Sequence, residues 1–566
     1  MAKTSGTATQ EFVIGPFAGG MNLYSDQAMI SDNEVVDCLN FDISLDGSLV
    51  SRPPWSLMKA VQTASGLGGT VPPNCDQLVI GTGTFESKRF VIVSSNHTGA
   101  YAAYIYYVDG VLAGTLAKIT DGVFSKAHRY ANYVYLVPDL TQVGGARYDL
   151  TGGLVTAIAS MPSGYASAIY KDRLWIGGRQ SIANDSRLYF SAVADFTSWP
   201  GTNFFDINPG DGDAVNDLVI YQDNIVIFKN TATYVLSYDT GPAQAVLNII
   251  NNDIGASGRN CVDVYENSVF ILKYNQVYEM SNYDFVRVSV KLPFEYDSAV
   301  AIVPPGTGAS NVAYKWPIWL RVVGDRVVVR FYNKLYVYHL RLRAWTRWRS
   351  EDFNINYIGP IMRLDNTDAG VLQGYDTYVA ASCLTTVPDS QGVGVPINWK
   401  MYFKLFQMKD MYDISTVENG NIVAPSTPVD IVLSMTTKQF NIGLSHRFKR
   451  LLHWGIDCYT GRSVTGTLFP QSVTFKPTWN QLSTMYWHDL GSWEYPLTSL
   501  PGVTQIVPAD AAKQIKFIRF PKSLRFRLLK FKIDLATKGN TSDGPVRLYS
   551  ITAFVAAKQL ASKAVN

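Results

Sequence analysis

Four segments of this chain repeat one short pattern: Tyr130-Ala-Asn-Tyr-Val-Tyr-Leu-Val, Tyr170-Lys-Asp-Arg-Leu-Trp-Ile-Gly, Tyr221-Gln-Asp-Asn-Ile-Val-Ile-Phe and Tyr265-Glu-Asn-Ser-Val-Phe-Ile-Leu. Each reads Tyr, any residue, Asp or Asn, any residue, then an apolar run. Val323-Gly-Asp-Arg-Val-Val-Val-Arg is a looser fifth copy, and Phe85-Glu-Ser-Lys-Arg-Phe-Val-Ile-Val is a degenerate earlier one. Asp and Asn bond to the backbone of tight turns and tolerate left-handed conformations. The β-branched and aromatic run that follows favours an extended strand. The copies from Tyr130 onward start 40, 51, 44 and 58 residues apart. A Tyr-bearing strand follows each, at Tyr148, Tyr189, Tyr234, Tyr278 and Tyr336. Four-stranded blades repeating at this period are the signature of a β-propeller. The copies predict about six or more blades.

Composition agrees with an all-β fold. Hydrophobic residues are 47% and charged residues 17% of the 566, which excludes intrinsic disorder. Tyr, Trp, Gly and Pro abound, as many short strands and turns require. The expected partition is an N-terminal arm over 1–60, a propeller over 61–395 and a C-terminal β-rich, sandwich-like domain over 396–566. The arm reading rests on Gly- and Pro-rich sequence with little strand periodicity. No apolar run reaches 18 residues and the N-terminus has no apolar h-region, so neither a membrane span nor a signal peptide is expected. The five cysteines include no CxxC pair and read as buried free thiols of a reducing cytosol.

Several pieces in order resemble the β-propeller tail proteins of tailed bacteriophages, most closely the nozzle, or tail tubular, proteins of short-tailed phages. They are Gly19 to Asn22, Ile30 to Glu34, Asn40-Phe-Asp, Gly47-Ser-Leu, Arg52-Pro, Asp172-Arg-Leu-Trp-Ile-Gly-Gly178, Leu188-Tyr-Phe-Ser191, Asp195 to Trp199, Asp211-Gly-Asp213, Ile225 to Lys229, Gln276-Val-Tyr278, Leu335-Tyr-Val-Tyr and Ala344-Trp-Thr-Arg-Trp348. The resemblance implies a structural virion protein, assembled in the host cytoplasm. It implies a homo-oligomeric ring of six copies below a connector or adaptor ring, contacting other tail proteins such as fibres. Such a ring continues the conduit for genomic DNA, passes it without sequence-specific binding and can gate its ejection. The alternative is a receptor- or carbohydrate-binding propeller at the tail tip.

No catalytic motif stands out. There is no GxSxG elbow, Walker loop or HExxH, so neither an enzyme nor a cofactor is expected. Asp206-Ile-Asn-Pro-Gly-Asp-Gly-Asp213 clusters oxygens on a turn as calcium requires, but lacks the EF-hand spacing. A structural loop between blades is the expected reading, and no metal site is assigned. Ser191 to Trp199 resembles a structural Asp-box turn. His446 and His453 are the only close histidine pair.

Two cationic groups remain. Arg341, Arg343, Trp345, Arg347, Trp348 and Arg349 interleave Arg with Trp, a pattern that stacks on bases or grips phosphates, or that packs its Trp inward as an ordinary strand. Residues 511–566 carry twelve Lys/Arg against two Asp, leaving 1–510 at about −7. Within that stretch Arg525, Arg527, Lys530 and Lys532 alternate with apolar residues. They are expected to present one cationic sheet face, with a bulge where the alternation slips at Leu528-Leu529. An acidic protein surface is the favoured partner, because cations that hold phosphates would hinder sliding DNA.

Overall fold

The computed structural model describes residues 9–52, 79–292 and 319–349 apart from short breaks. It also describes strands within 56–60, 357–386, 399–407, 416–423, 431–440, 449–473, 498–507, 510–537 and 546–557. The chain divides into two compact units. One comprises Pro54–Tyr336 and Asp352–Pro428; the other comprises Met1–Pro53, Val337–Glu351 and Val429–Asn566.

The first unit is an all-β propeller. Its innermost strands are Val79–Phe85, Phe124–Tyr130, Ala166–Tyr170, Asp217–Tyr221, Val262–Tyr265, Trp319–Val323 and Tyr357–Asp368. Each contacts the next, and the seventh contacts the first, so they close a ring of seven. Blades one to five are four-stranded antiparallel meanders in sequence order. In blade six the chain continues from Arg326–Phe331 into Lys334–His339, along which it passes to the other unit. Blade seven borrows its outer strand: Ser56–Ala60 pairs antiparallel with Trp399–Gln407, Gln407 opposite Ser56.

The repeated pattern marks one place in blades one to six, the two-residue turn joining the first strand to the second. Tyr130 faces Tyr133, Tyr170 faces Arg173, Tyr221 faces Asn224 and Tyr265 faces Ser268. The looser copies obey the same register, with Val323 opposite Arg326 and Phe85 opposite Lys88. Asp368 faces Val371 in the seventh blade, which lacks the Tyr and so leaves no trace in the repeat. Lys171 and Asp172 have φ of 44° and 54°, and Gln222 and Asp223 have 47° and 55°. Positive φ at both central residues matches strand twist and suits the Asp of these two turns, whereas at Ala131 and Glu266 only the first central residue is positive.

The tyrosine links blades. Tyr130 Oη donates to Asp172 Oδ1 at 3.0 Å, Tyr170 Oη to the Asp223 carbonyl at 2.6 Å, and Tyr221 Oη to the Asn267 carbonyl at 2.9 Å. Each Tyr therefore reaches the Asp or Asn of the following repeat. Beneath these turns the blades pack through apolar faces. Trp175, Ile225, Ile227 and Leu236 are fully buried in one cluster shared by blades three and four.

The second unit packs two sheets on one apolar core. In one sheet the order is Phe41–Ile43, Leu49–Ser51, Val546–Ala557, Lys449–Thr460 and Asp510–Phe526, with Thr9–Ile14 also along Val546–Ala557. The other runs Ala344–Trp348, Glu34–Leu39, Val432–Thr437, Leu528–Thr537 and Val464–Val473. Ile14, Phe41, Leu49 and Ile551 from the first meet Val35, Met435, Phe531 and Ile533 from the second in the core.

This arrangement corrects the expected partition. Residues 9–51 are not an arm: their strands complete both sheets, and Ile14, Phe17 and Phe41 are buried. The boundaries at 60/61 and 395/396 fall inside the propeller unit, which runs to Pro428. Residues 337–351 leave it. The slip at Leu528-Leu529 is not a bulge. Asp510–Phe526 belongs to one sheet and Leu528–Thr537 to the other, so the alternation changes phase where the chain crosses between them.

Candidate functional site

The four C-terminal cations do not form one face. Arg525 lies opposite Arg450 in the first sheet, whereas Lys530 and Lys532 lie in the second. Leu529, Phe531, Ile533 and Leu535 point into the core, so the alternation of Lys530 and Lys532 does place them together on the opposite side. Yet Lys530 is buried, and its Nζ donates to Gln27 Oε1 at 2.8 Å. Lys532 pairs with Asp534 at 2.8 Å. Arg527 lies outside the described residues, as does His446. His453 stacks on Phe554 at 4.2 Å between ring centroids.

The Arg–Trp group is an ordinary strand with its Trp packed inward. Trp345 and Trp348 are buried and offer no ring to a base. Trp348 Nε1 donates to Asp42 Oδ1 at 2.9 Å, and Arg347 pairs with Asp37 at 3.0 Å. Burial raises the Asp37 carboxyl above its ordinary range, a push that Arg347 opposes. Arg341, Arg343 and Arg349 are exposed.

Around that strand lies a buried polar clamp that the sequence pattern does not reveal. Asn40, held at φ 60°, donates its backbone N–H to the Arg347 carbonyl and its Nδ2 to the Val432 carbonyl. Its Oδ1 accepts from Arg52 Nε at 3.0 Å and from the Arg349 backbone at 2.6 Å. Arg52, 1% exposed, also donates to the Arg349 carbonyl at 2.8 Å. Gly20 has φ +64°, and a Cβ there would sit 2.7 Å from the Trp345 carbonyl oxygen. Asn22 and Ser31 both donate to the buried Glu34 carboxylate at 3.0 Å. Gly20, Asn22, Glu34, Asn40, Asp42, Arg52, Trp345 and Trp348 are among the positions that carry the resemblance. In sequence they look like scattered loop residues, because Asn40, Asp42 and Arg52 also bond to residues roughly 300 or more positions away.

In the propeller the calcium-like loop is already served by an internal cation. Lys229, fully buried, sends its Nζ to Asp211 Oδ2 at 2.6 Å, Ser186 Oγ at 3.0 Å and the Ile207 carbonyl at 3.0 Å. Burial raises the Asp211 carboxyl, but Lys229 and the Asp213 backbone N–H more than offset this and hold it below its usual range. Asp213 is spent on the Asn230 and Thr231 backbones. In the Asp-box-like turn, Asp195 accepts the Thr197 backbone N–H at 3.0 Å, and Phe196 is buried. Among the described residues no group of three His, Cys, Asp or Glu could hold a metal ion.

The inner strands carry a polar set as well. Lys126 reaches Asp217, two blades on, at 2.8 Å. His128 Nε2 lies 2.7 Å from Ser167 Oγ. Burial, with Lys126 nearby, drives the His128 imidazole down to about 3, so it is neutral near pH 7. The pair joins the inner strands of neighbouring blades two and three. Cys38, Cys261 and Cys458 are buried and form no disulfide. Among the described residues no helix is long and apolar enough to cross a membrane.

No protein-family model matches the chain, and no curated protein matches it. Solved structures share only coarse likeness. The WD40 domain of Neurospora crassa Pan2 is 8% identical, covering 64% of this chain and 98% of that one at a TM-score of 0.37. The AfRom2 CNH domain is 6% identical, covering 59% and 95% at 0.36. The computationally designed Ika8 protein is 10% identical, covering 64% and 94% at 0.33. Likeness this slight carries no functional argument. The propeller class is defined by the chain's own closed ring of blades.

The buried groups can be tested one at a time. Lys229→Met should lower unfolding free energy in urea by about 3–5 kcal/mol, because it strands the Asp211 carboxylate. Calcium should not raise the melting temperature of the wild type; a calcium-dependent rise would show that Lys229 does not fill the cage. His128 has a folded pKa below its unfolded value near 6.5, so the unfolded chain binds the extra proton. Its stability contribution is complete above pH 6.5 and falls as pH drops toward 3. His128→Gln should flatten the wild-type loss of stability between pH 6.5 and 4, measured by urea titration; an unchanged slope would remove His128 as the cause.

Proposed function

We propose that this chain is a non-catalytic structural protein of a bacteriophage tail. Copies of it form a ring that continues the DNA conduit below a connector and takes part in genome ejection. The observation that carries this reading is the clamp: several of the residues that resemble tail nozzle proteins, among them Asn40, Asp42, Arg52 and Trp348, cluster in one buried polar clamp. That network ties three distant chain segments into one unit. Buried polar networks of this kind fix a unique arrangement once every member is satisfied.

Charge supports self-assembly. The unit made of 1–53, 337–351 and 429–566 has 24 Lys/Arg against 15 Asp/Glu, and the propeller unit has 25 against 31. The two therefore carry +9 and −6, the complementarity a head-to-tail contact between identical chains uses. DNA in the lumen is passed rather than read, and the buried Trp345 and Trp348 are consistent with that.

Electron microscopy of the purified chain at micromolar concentration should show closed rings with an axial lumen. Monomers that bind cell-surface polysaccharide would instead support a receptor-binding propeller at the tail tip.

A further inference from the structure

The loop from Leu23 to Met29 exposes three large apolar side chains. Leu23, Tyr24 and Met29 are 42%, 70% and 80% accessible. Scattered apolar residues are normal on a surface, but three within seven residues are not scattered. The loop is also held from behind. Asn22 Oδ1 accepts the Tyr24 and Ser25 backbone N–H groups at 3.2 and 3.3 Å. Met29 N donates to the Asp26 carbonyl at 2.8 Å. The buried Lys530 reaches Gln27 Oε1, and the buried Lys438 donates to the Ile30 carbonyl at 2.7 Å. Two lysines that could have faced solvent thus fix a loop that presents apolar side chains outward. Such preorganisation removes an ordering cost from binding.

Charge identifies the occupant. Within the loop Asp26 is exposed, and residues 4–51 contain no Lys or Arg. The surface that receives this loop must accept apolar side chains and supply cations. This chain has one in the turn after His339. Arg341 and Arg343 are both exposed there, and the Arg343 backbone N–H donates to the His339 carbonyl at 2.8 Å. Guanidinium groups stack on tyrosine faces, and their aliphatic stems cover apolar side chains.

We propose that the Leu23–Met29 loop of one copy docks on the Arg341–Arg343 turn of a second copy. The proposal rests on the self-assembly reading above and names its contact. Lys530 then acts behind the interface, as the residue that positions the loop.

The test is sedimentation velocity of the full chain across the micromolar range, using two variants. Tyr24→Ser with Met29→Ser removes the key; Arg341→Gln with Arg343→Asn removes its seat and keeps a residue that tolerates the positive φ. All four side chains are exposed, so both variants should melt at the wild-type temperature. Each alone should self-associate at least about tenfold more weakly. Mixed one to one, they should form a dimer and stop, because each supplies the surface the other lacks. Variants that assemble like the wild type would overturn the contact and leave the ring reading standing. A mixture that stays monomeric would also overturn the contact. A wild-type chain that never self-associates would overturn both.

Discussion

The closure of the propeller by Ser56–Ala60 is the constraint on which the rest of the structure depends. A blade buries its two faces only between neighbours, so a row of seven leaves two faces and one sheet edge bare until the ends meet. Here the last blade accepts its outer strand from the start of the chain. Backbone hydrogen bonds along Ser56–Ala60 and Trp399–Gln407 then join residues about 350 positions apart. Exposed edges are a liability, and ring closure is one way to remove them. The closing strand follows residues 9–52 directly, so it links the propeller to a unit that the chain enters three times.

Within that ring the Tyr-to-Asp/Asn bonds divide the labour between two letters of one motif. The Asp or Asn shapes its own turn, and the Tyr of the preceding blade bonds to that turn. A local requirement and an inter-blade requirement are met by residues two positions apart. That is why the pair repeats together, and why the amino-acid sequence alone displays the blades. The seventh blade, with Asp368 opposite Val371, keeps the register without the tyrosine and escapes the pattern for that reason.

What the sequence does not display shares one cause. A charged residue in sequence reads as surface unless its partner is near, and here the partners are far. Arg52 is satisfied by Arg349, Lys438 by Ile30, and Lys530 by Gln27. The phase slip after Phe526 is legible, but a bulge and a crossing between sheets produce the same one-residue shift. Only the separate pairings of Asp510–Phe526 and Leu528–Thr537 distinguish them. Residues 9–51 read as an arm because their strands are short and separated by Gly-bearing connections. Their partners, Val432–Thr437 and Val546–Ala557, are supplied from the opposite end of the chain. The calcium-like loop is a cluster of oxygens around a cation, as its composition suggests; the cation is the Lys229 ammonium.

Hydrogen exchange of the intact chain tests the closure most directly. The amides of Ser56–Ala60 that bond to Lys404–Gln407 should be protected, and should open together with the Lys404–Gln407 amides that bond back to them, at the same denaturant concentration. Fast exchange of those cross-strand amides of Ser56–Ala60 under native conditions would contradict a ring closed by this strand.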